Sequence, residues 1–536
     1  MHDLLPPPRV ARPEPGEFVF SSSAGVSGPF ADAVRLALAV LPLGDGPGIT
    51  VAEKDELGPE AYELTITPER IEILAGDRAG AFYAAQTLRQ LLPDDAFRAA
   101  ALPGVRWAVP CGRVEDSPAH PWRGTHLDVA RHFFPKREVL RMIDLMAVHK
   151  LNRLHLHLVD DQGWRVESRR HPRLHEIASH RLETVVSHKG EPQEFDGTPH
   201  GGFYTLADLS EIAAYARARC VTVVPELDVP GHAAALLAAY PELSARPGAE
   251  HAVWTRWGIS PDILSPLQPT VAFLAGVIEE WIDALGPTPY FHLGGDECVL
   301  DDWAANPEIV AYQRELGLAG PGDLHAHFLL QLADVLSAHG SRAVVWDEAF
   351  VSGALRPDSI VMAWRGEGVA RRAAEAGYDV VMTPVLPTYF DYSEVEGPDE
   401  PLAIAGPLPL SAVASFRPVP AEWSAEAAER VLGTQFQLWS ERIPDARTLD
   451  YRAWPRGCAL AQVAWSGQAA DVEERLPRHL RRLDALGVEY RPLDGPRPWQ
   501  KGGTGRRRHR ANDFVTEDVM RHLDELTLAA DSTRPS

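Results

Sequence analysis

Cysteine is scarce in this 536-residue chain: Cys111, Cys220, Cys298 and Cys458 are the only four, and no two have metal-knuckle or redox spacing. That argues against a disulfide framework. Positive charge is also short, with 52 Lys and Arg against 75 Asp and Glu and a formal net charge of -23. Nucleic-acid phosphates demand the opposite balance. The one basic run, Arg506-Arg507-Arg508-His509-Arg510, reads as a solvated tail or loop. No stretch is long and apolar enough to span a membrane. The start, Met1 to Pro8, lacks a basic region followed by an apolar core. The expectation is a soluble, cytoplasmic protein with neither nucleic-acid nor membrane partners. A Gly-rich dinucleotide fingerprint is missing too, which counts against a doubly wound open sheet.

What remains is the composition of a globular enzyme, 45% hydrophobic and 24% charged. The length suits two domains. Residues 15–115 read as a small α+β domain. Phe18-Val19-Phe20, Ile49-Thr50-Val51, Tyr62–Ile66 and Ile71–Leu74 look like strands, and Pro29–Leu41 and Ala79–Leu92 like helices. From 120 to 490 the pattern becomes strand, polar tip, helix, repeated. Eight candidate strands are Gly124–Val129, Leu151–Val159, Val221–Leu227, Tyr290–Leu293, Arg342–Trp346, Ile360–Trp364, Asp379–Thr383 and Val431–Trp439. Helical segments lie between most of them, such as Arg137–His149, Leu206–Arg219, Thr270–Leu285 and Leu324–His339. The fold class predicted is α/β, a (β/α)8 TIM barrel preceded by the α+β domain. Residues 491–536 form a tail in which Glu517–Leu526 could be helical.

Barrel enzymes carry their chemistry at the C-terminal ends of the strands. Strand four ends in His292-Leu293-Gly294-Gly295-Asp296-Glu297. Two glycines let the backbone turn sharply there, delivering adjacent carboxylates that could serve as an acid and as a stabilising charge. They could equally open a solvated helix N-terminus. The other strand ends supply Asp128 and Arg131; Asp160, Asp161 and Trp164; Glu226, Asp228 and His232; Trp346, Asp347 and Glu348; Trp364 and Arg365; Tyr389 and Asp391; and Trp439 and Glu441. Carboxylates and Arg can hydrogen-bond sugar hydroxyls, and Trp offers a flat apolar wall to a sugar ring. A rim of both types suits a carbohydrate. His155 and His157, on one face of strand two, could join His232 and Asp296 in the metal cluster of a barrel hydrolase. They lie within the strand, before its polar tip, so packing or supporting roles fit them better.

Seven motifs in order resemble glycoside hydrolase family 20, the β-N-acetylhexosaminidases. They are Gly124-Thr-His-Leu-Asp-Val-Ala-Arg131, Leu154-His-Leu-His-Leu-Val-Asp160-Asp-Gln-Gly-Trp-Arg165, Val224-Pro-Glu-Leu-Asp-Val-Pro-Gly-His232, His292 to Glu297, Val345-Trp-Asp-Glu348, Tyr389-Phe-Asp391 and Leu438-Trp-Ser-Glu441. The likeness extends upstream to Glu60–Ile66 and Gly80–Leu92. It implies retaining hydrolysis of terminal β-linked N-acetylglucosamine or N-acetylgalactosamine, from oligosaccharides or glycoconjugates, with no cofactor and no metal. The family uses substrate-assisted catalysis, in which the substrate's acetamido oxygen attacks the anomeric carbon. Carried over by motif, Glu297 is the general acid and base, and Asp296 binds the acetamido N–H and stabilises the oxazolinium charge. Tyr389 aims the acetamido oxygen, and Trp346, Trp364 and Trp439 wall its pocket. Arg131, Asp391 and Glu441 grip the sugar hydroxyls, and Asp160 and His232 form a relay supporting Glu297. Many members carry another Trp after strand seven, on the leaving-group side. The corresponding region here, Glu400 to Gly406, has no aromatic. Alternatives are a disaccharide-releasing relative, a metal-dependent barrel hydrolase and a non-catalytic sugar binder.

Overall fold

The computed structural model describes residues 2–187 and 192–502. The expected tail helix and the basic run lie outside these residues.

Alternation of buried and half-buried side chains builds the first sheet. Ile71, Ile73 and Ala75 point inward while Glu72 and Leu74 alternate with them, as a sheet with one covered face requires. Six strands lie in the spatial order Val10–Val19, Ala108–Asp116, Tyr62–Ile66, Ile71–Ala75, Gly46–Glu53 and Ala24–Ser27. Helices Ala31–Ala37 and Arg78–Leu91 complete the domain. The longer one is capped by Asp77, whose side chain accepts from the Gly80 N–H at 2.7 Å. Two strands were not expected from the sequence, Ala24–Ser27 and Ala108–Asp116. The second carries Pro110 and Gly112, which mask a strand pattern.

All eight expected strands of the second domain form, and they close into one parallel barrel in sequence order. Several are shorter than their apolar runs. Pairing in the second covers Arg153–His157 and in the eighth Val431–Phe436. Beyond those points the backbone turns to loop partners, as when the Gln437 N–H donates to the Thr388 carbonyl at 2.8 Å. Helix Gln268–Leu285 shows why the surrounding helices dock: Val271, Leu274, Ile278, Trp281 and Leu285 fall on one buried stripe.

Inside the barrel, an apolar layer of Trp122, Val224, Val344, Ile360, Met362 and Val381 lies beneath a polar one. Strand register sets Asp128 beside His157, His157 beside Glu226, and Glu226 beside His292. The two domains are locked by buried ion pairs. Arg123 Nη1 meets Glu60 at 2.7 Å, and Lys150 Nζ meets Asp116 at 2.8 Å. Asp116 also accepts from Tyr62 Oη at 2.8 Å and from Trp465 Nε1 at 3.0 Å.

Candidate active site

Strand four ends in a turn that only glycine can make. Gly294 and Gly295 have φ of +66° and +91°. A Cβ on Gly294 would lie 1.7 Å from Asp228 Oδ1. That oxygen accepts the Gly295 N–H at 3.1 Å, and the Trp346 N–H ties down the Gly294 carbonyl at 3.0 Å. Glu297 and His232 also hold left-handed backbone, at φ of 51° and 48°. Such strain at a non-glycine residue costs about 1–3 kcal/mol and persists where packing over-determines the conformation.

The turn aims both carboxylates at His232. Its Nε2 lies 3.5 Å from Glu297 Oε2 and 3.8 Å from Asp296 Oδ2. Its Nδ1 lies 3.3 Å from Asp160 Oδ1 and 3.6 Å from Asp161 Oδ2. Burial opposes a charge on the ring, but Asp160 and Asp228 outweigh it and hold His232 well above the usual imidazole range. Asp160 is held well below the carboxylate range, because Arg131 and His232 outweigh its burial. Asp296 goes the other way: burial and the nearby Asp228 charge push it well up, against the pull of His232. Glu297 remains one-third exposed, at the mouth of the site.

Aromatic rings close one side. Trp346, Trp439, Tyr389 and Trp364 follow one another with ring centroids 6.0, 6.2 and 6.4 Å apart. Carboxylates fix two of the indoles. Trp346 Nε1 donates to Glu226 Oε1 at 2.9 Å, and Trp364 Nε1 donates to Glu348 Oε2 at 2.9 Å. The Trp439 ring lies 5.0 Å from the Arg131 guanidinium.

Arg131 is clamped by Asp160 Oδ2 at 2.9 Å, Gln162 Oε1 at 3.1 Å and Asp128 Oδ2 at 3.3 Å. Asp128 in turn accepts the Ser440 N–H at 2.9 Å, placing the start of the Glu441 loop. Among the described residues, three of the five buried carboxylate oxygens without a hydrogen-bond partner lie here: Asp296 Oδ1, Asp391 Oδ1 and Glu441 Oε2. Such atoms are rare in folded proteins. Here they belong to three residues expected to bind sugar, and they are free to accept hydrogen bonds from N–H and O–H groups.

The structure thus brings Asp160, His232, Asp296 and Glu297 into one cluster and Trp346, Trp364, Tyr389 and Trp439 into one wall. His155 and His157 do not join His232 on Asp296. Both turn toward Glu226, His155 Nε2 at 3.0 Å. Sequence reading placed Asp128, Glu226, Asp347 and Glu348 at strand ends without giving them tasks. Their tasks are contacts: Asp347 Oδ1 takes Arg365 Nε at 2.6 Å and its Oδ2 takes the Trp364 N–H at 3.1 Å. Sequence spacing carries no signal for such pairings. The segment 400–406 was expected beside the leaving group. Its Pro401 and Leu402 share a cavity of about 120 Å³ with His132, Trp257 and Glu441. Glu400 is buried against Arg491 at 2.9 Å and Tyr451 at 2.8 Å, which pins the segment there.

A family model described as the glycosyl hydrolase family 20 catalytic domain matches residues 120–468, and one for domain 2 of that family matches residues 1–117. A β-hexosaminidase of Porphyromonas gingivalis is 38% identical over 502 residues, covering 92% of this chain. The chain spans 60% of that relative's length. A β-hexosaminidase of Akkermansia muciniphila is 35% identical over 433 residues, covering 80% of this chain and 84% of its own. Among solved structures, an exo β-N-acetylglucosaminidase of Vibrio harveyi in complex with N-acetylglucosamine superposes with a TM-score of 0.79 at 32% identity, covering 91% of this chain and 78% of that one. A β-N-acetylhexosaminidase of Streptomyces coelicolor gives 0.77 at 29% identity, covering 92% and 98%.

Proposed function

The chain belongs to glycosyl hydrolase family 20, and on that footing we propose that it removes terminal β-linked N-acetylhexosamine from glycans with the substrate's own acetamido group as nucleophile. One observation carries the reading. An acid at the mouth and a buried carboxylate stand together on His232, beside an aromatic wall and a set of carboxylate oxygens with no protein partner.

In the first step the acetamido oxygen forms a bond to the anomeric carbon while the bond to the leaving oxygen breaks. Glu297 gives that oxygen its proton. Tyr389 and the three indoles hold the acetamido group bent beneath the ring, which converts a loose encounter into an aligned attack. Asp296 accepts the acetamido N–H. Its burial and Asp228 favour the neutral acid. The cationic ring that forms beside it favours the carboxylate, so the interaction is strongest when the charge is present. In the second step the Glu297 carboxylate takes a proton from water, the water oxygen bonds to the anomeric carbon, and the ring opens with overall retention. Arg131, Asp391 and Glu441 grip the remaining hydroxyls.

The test is release of nitrophenol from the aryl β-N-acetylglucosaminide, with the β-glucoside as control. Cleavage of the N-acetyl substrate alone supports the reading. Cleavage of neither, together with release of a disaccharide from a longer glycoside, would transfer it to the disaccharide-releasing alternative.

A further inference from the structure

His157 and Glu226 are fully buried in the barrel and have no task in the chemistry described so far. We propose that they are positioning residues: they complete a buried chain that ties the indole wall of the acetamido pocket to the acid Glu297. The proposal rests on reading Glu297 as that acid.

The chain can be followed atom by atom. Trp346 Nε1 donates to Glu226 Oε1 at 2.9 Å, and Glu226 Oε2 takes His157 Nδ1. His157 Nε2 donates to Asp160 Oδ2 at 2.8 Å. Asp160 Oδ1 lies 3.3 Å from His232 Nδ1, and His232 Nε2 lies 3.5 Å from Glu297 Oε2. Carboxylate and imidazole alternate along its length.

His155, two residues earlier on the strand, differs: it meets a carboxylate on one side only, Glu226 Oε2 lying 3.0 Å from its Nε2. Its Nδ1 accepts from Gln435 Nε2 at 2.9 Å, and burial brings the ring down to about 4, so it is neutral. His157 presents a nitrogen to a carboxylate on each side. A neutral tautomer would turn one lone pair onto a carboxylate oxygen, so the ring is held as the imidazolium. Glu226 and Asp160 raise it well above the usual range despite its burial.

The consequence falls on Asp160. Its Oδ1 accepts the Asp161 N–H at 2.6 Å and faces His232, while its Oδ2 is held by His157 and by Arg131 at 2.9 Å. Without His157, Oδ2 keeps only Arg131, which is shared with Asp128 and Gln162. The carboxylate can then rotate, and His232 loses its aim at Glu297. No proton travels along the chain; it fixes orientation and charge. Because the same chain holds Trp346, the acid and the wall that aims the nucleophile share one support.

The experiment uses the full-length protein with His157→Gln, Glu226→Gln and, as reference, Glu297→Gln. Each is assayed on aryl β-N-acetylglucosaminides whose phenols span a wide range of acidity, with thermal melting as the check on folding. Removing acid catalysis matters most for poor leaving groups, so His157→Gln is expected to lower kcat/KM by about 10–100-fold for the least acidic phenol and only about threefold for the most acidic. Glu226→Gln keeps an acceptor for Trp346 but removes the charge, so its loss runs the same way and is smaller. It carries the test if His157→Gln does not fold. Adding Asp160→Asn to His157→Gln is expected to give less than the product of the separate losses. An equal loss for every phenol, or none, overturns the proposal while Glu297→Gln stays selective. If Glu297→Gln itself shows no selectivity, the acid assignment fails instead.

Discussion

Alanine at position 294 is the sharpest test of how the turn serves the site. With φ at +66°, the new residue would hold left-handed backbone, a cost of about 1–2 kcal/mol. Its Cβ would also stand 1.7 Å from Asp228 Oδ1 and 2.7 Å from Asp228 Cα. Rotating the Asp228 side chain relieves the first contact but not the second, so one backbone segment must shift. The hydrogen bond from the Gly295 N–H to Asp228, 3.1 Å long, is strained or lost, at about 1–3 kcal/mol for a buried group left unsatisfied. The sum is about 2–5 kcal/mol of stability. Displacement of Asp296 and Glu297 by about 1 Å is expected to lower kcat about 100-fold. Gly317→Ala is the control. Its φ is +71° and nothing lies within 4 Å of the added Cβ, so it should cost only the backbone term, about 1–2 kcal/mol, and leave kcat alone. Thermal melting and steady-state hydrolysis of an aryl N-acetylglucosaminide read both quantities. A folded Gly294→Ala enzyme with wild-type kcat would mean that the turn does not set the positions of Asp296 and Glu297.

Other outcomes follow from the same contacts. Asp296→Asn should abolish most turnover yet raise the melting temperature near pH 7, by about 1 kcal/mol of stability. The sign follows from burial and Asp228, which raise the folded carboxyl above its unfolded value. Stability is then lost as pH rises past the unfolded value, and the gain from Asn should vanish on acidification to about pH 4. Lys150→Met leaves Asp116 buried without its charge partner at 2.8 Å; melting should show a loss of about 3–5 kcal/mol, with kcat of the folded fraction unchanged. Glu348→Ala frees the Trp364 indole from its 2.9 Å hydrogen bond and should raise KM several-fold in the same assay. Dialysis against a strong chelator should leave hydrolysis unchanged; its loss, restored by a divalent ion, would favour the metal-dependent reading.

The barrel was legible because each strand is a short apolar run ending in a polar tip, a pattern that survives in one dimension. Strand ends were less so. The run Val431–Trp439 continues past the last ladder pair at Phe436, since hydrophobicity does not record where hydrogen bonds leave the sheet. Ala108–Asp116 was missed for its proline and glycine. In the site, Asp296 and Glu297 were marked by the glycines before them, whereas Glu226 looks like any strand-end acid in sequence. Its contacts to His157 and Trp346 join residues 69 and 120 positions away. Only closure of the barrel brings them together.

In the proposed reaction the nucleophile belongs to the substrate. This is tested most directly by an aryl N-acetylglucosaminide series in which the acetyl methyl carries successively more fluorine. Each fluorine withdraws electrons from the acetamido oxygen and weakens it as a nucleophile. The expected result is a steep fall in kcat along the series. A flat response would mean that an enzyme group makes the bond, and the roles given to Asp296 and Tyr389 would be wrong.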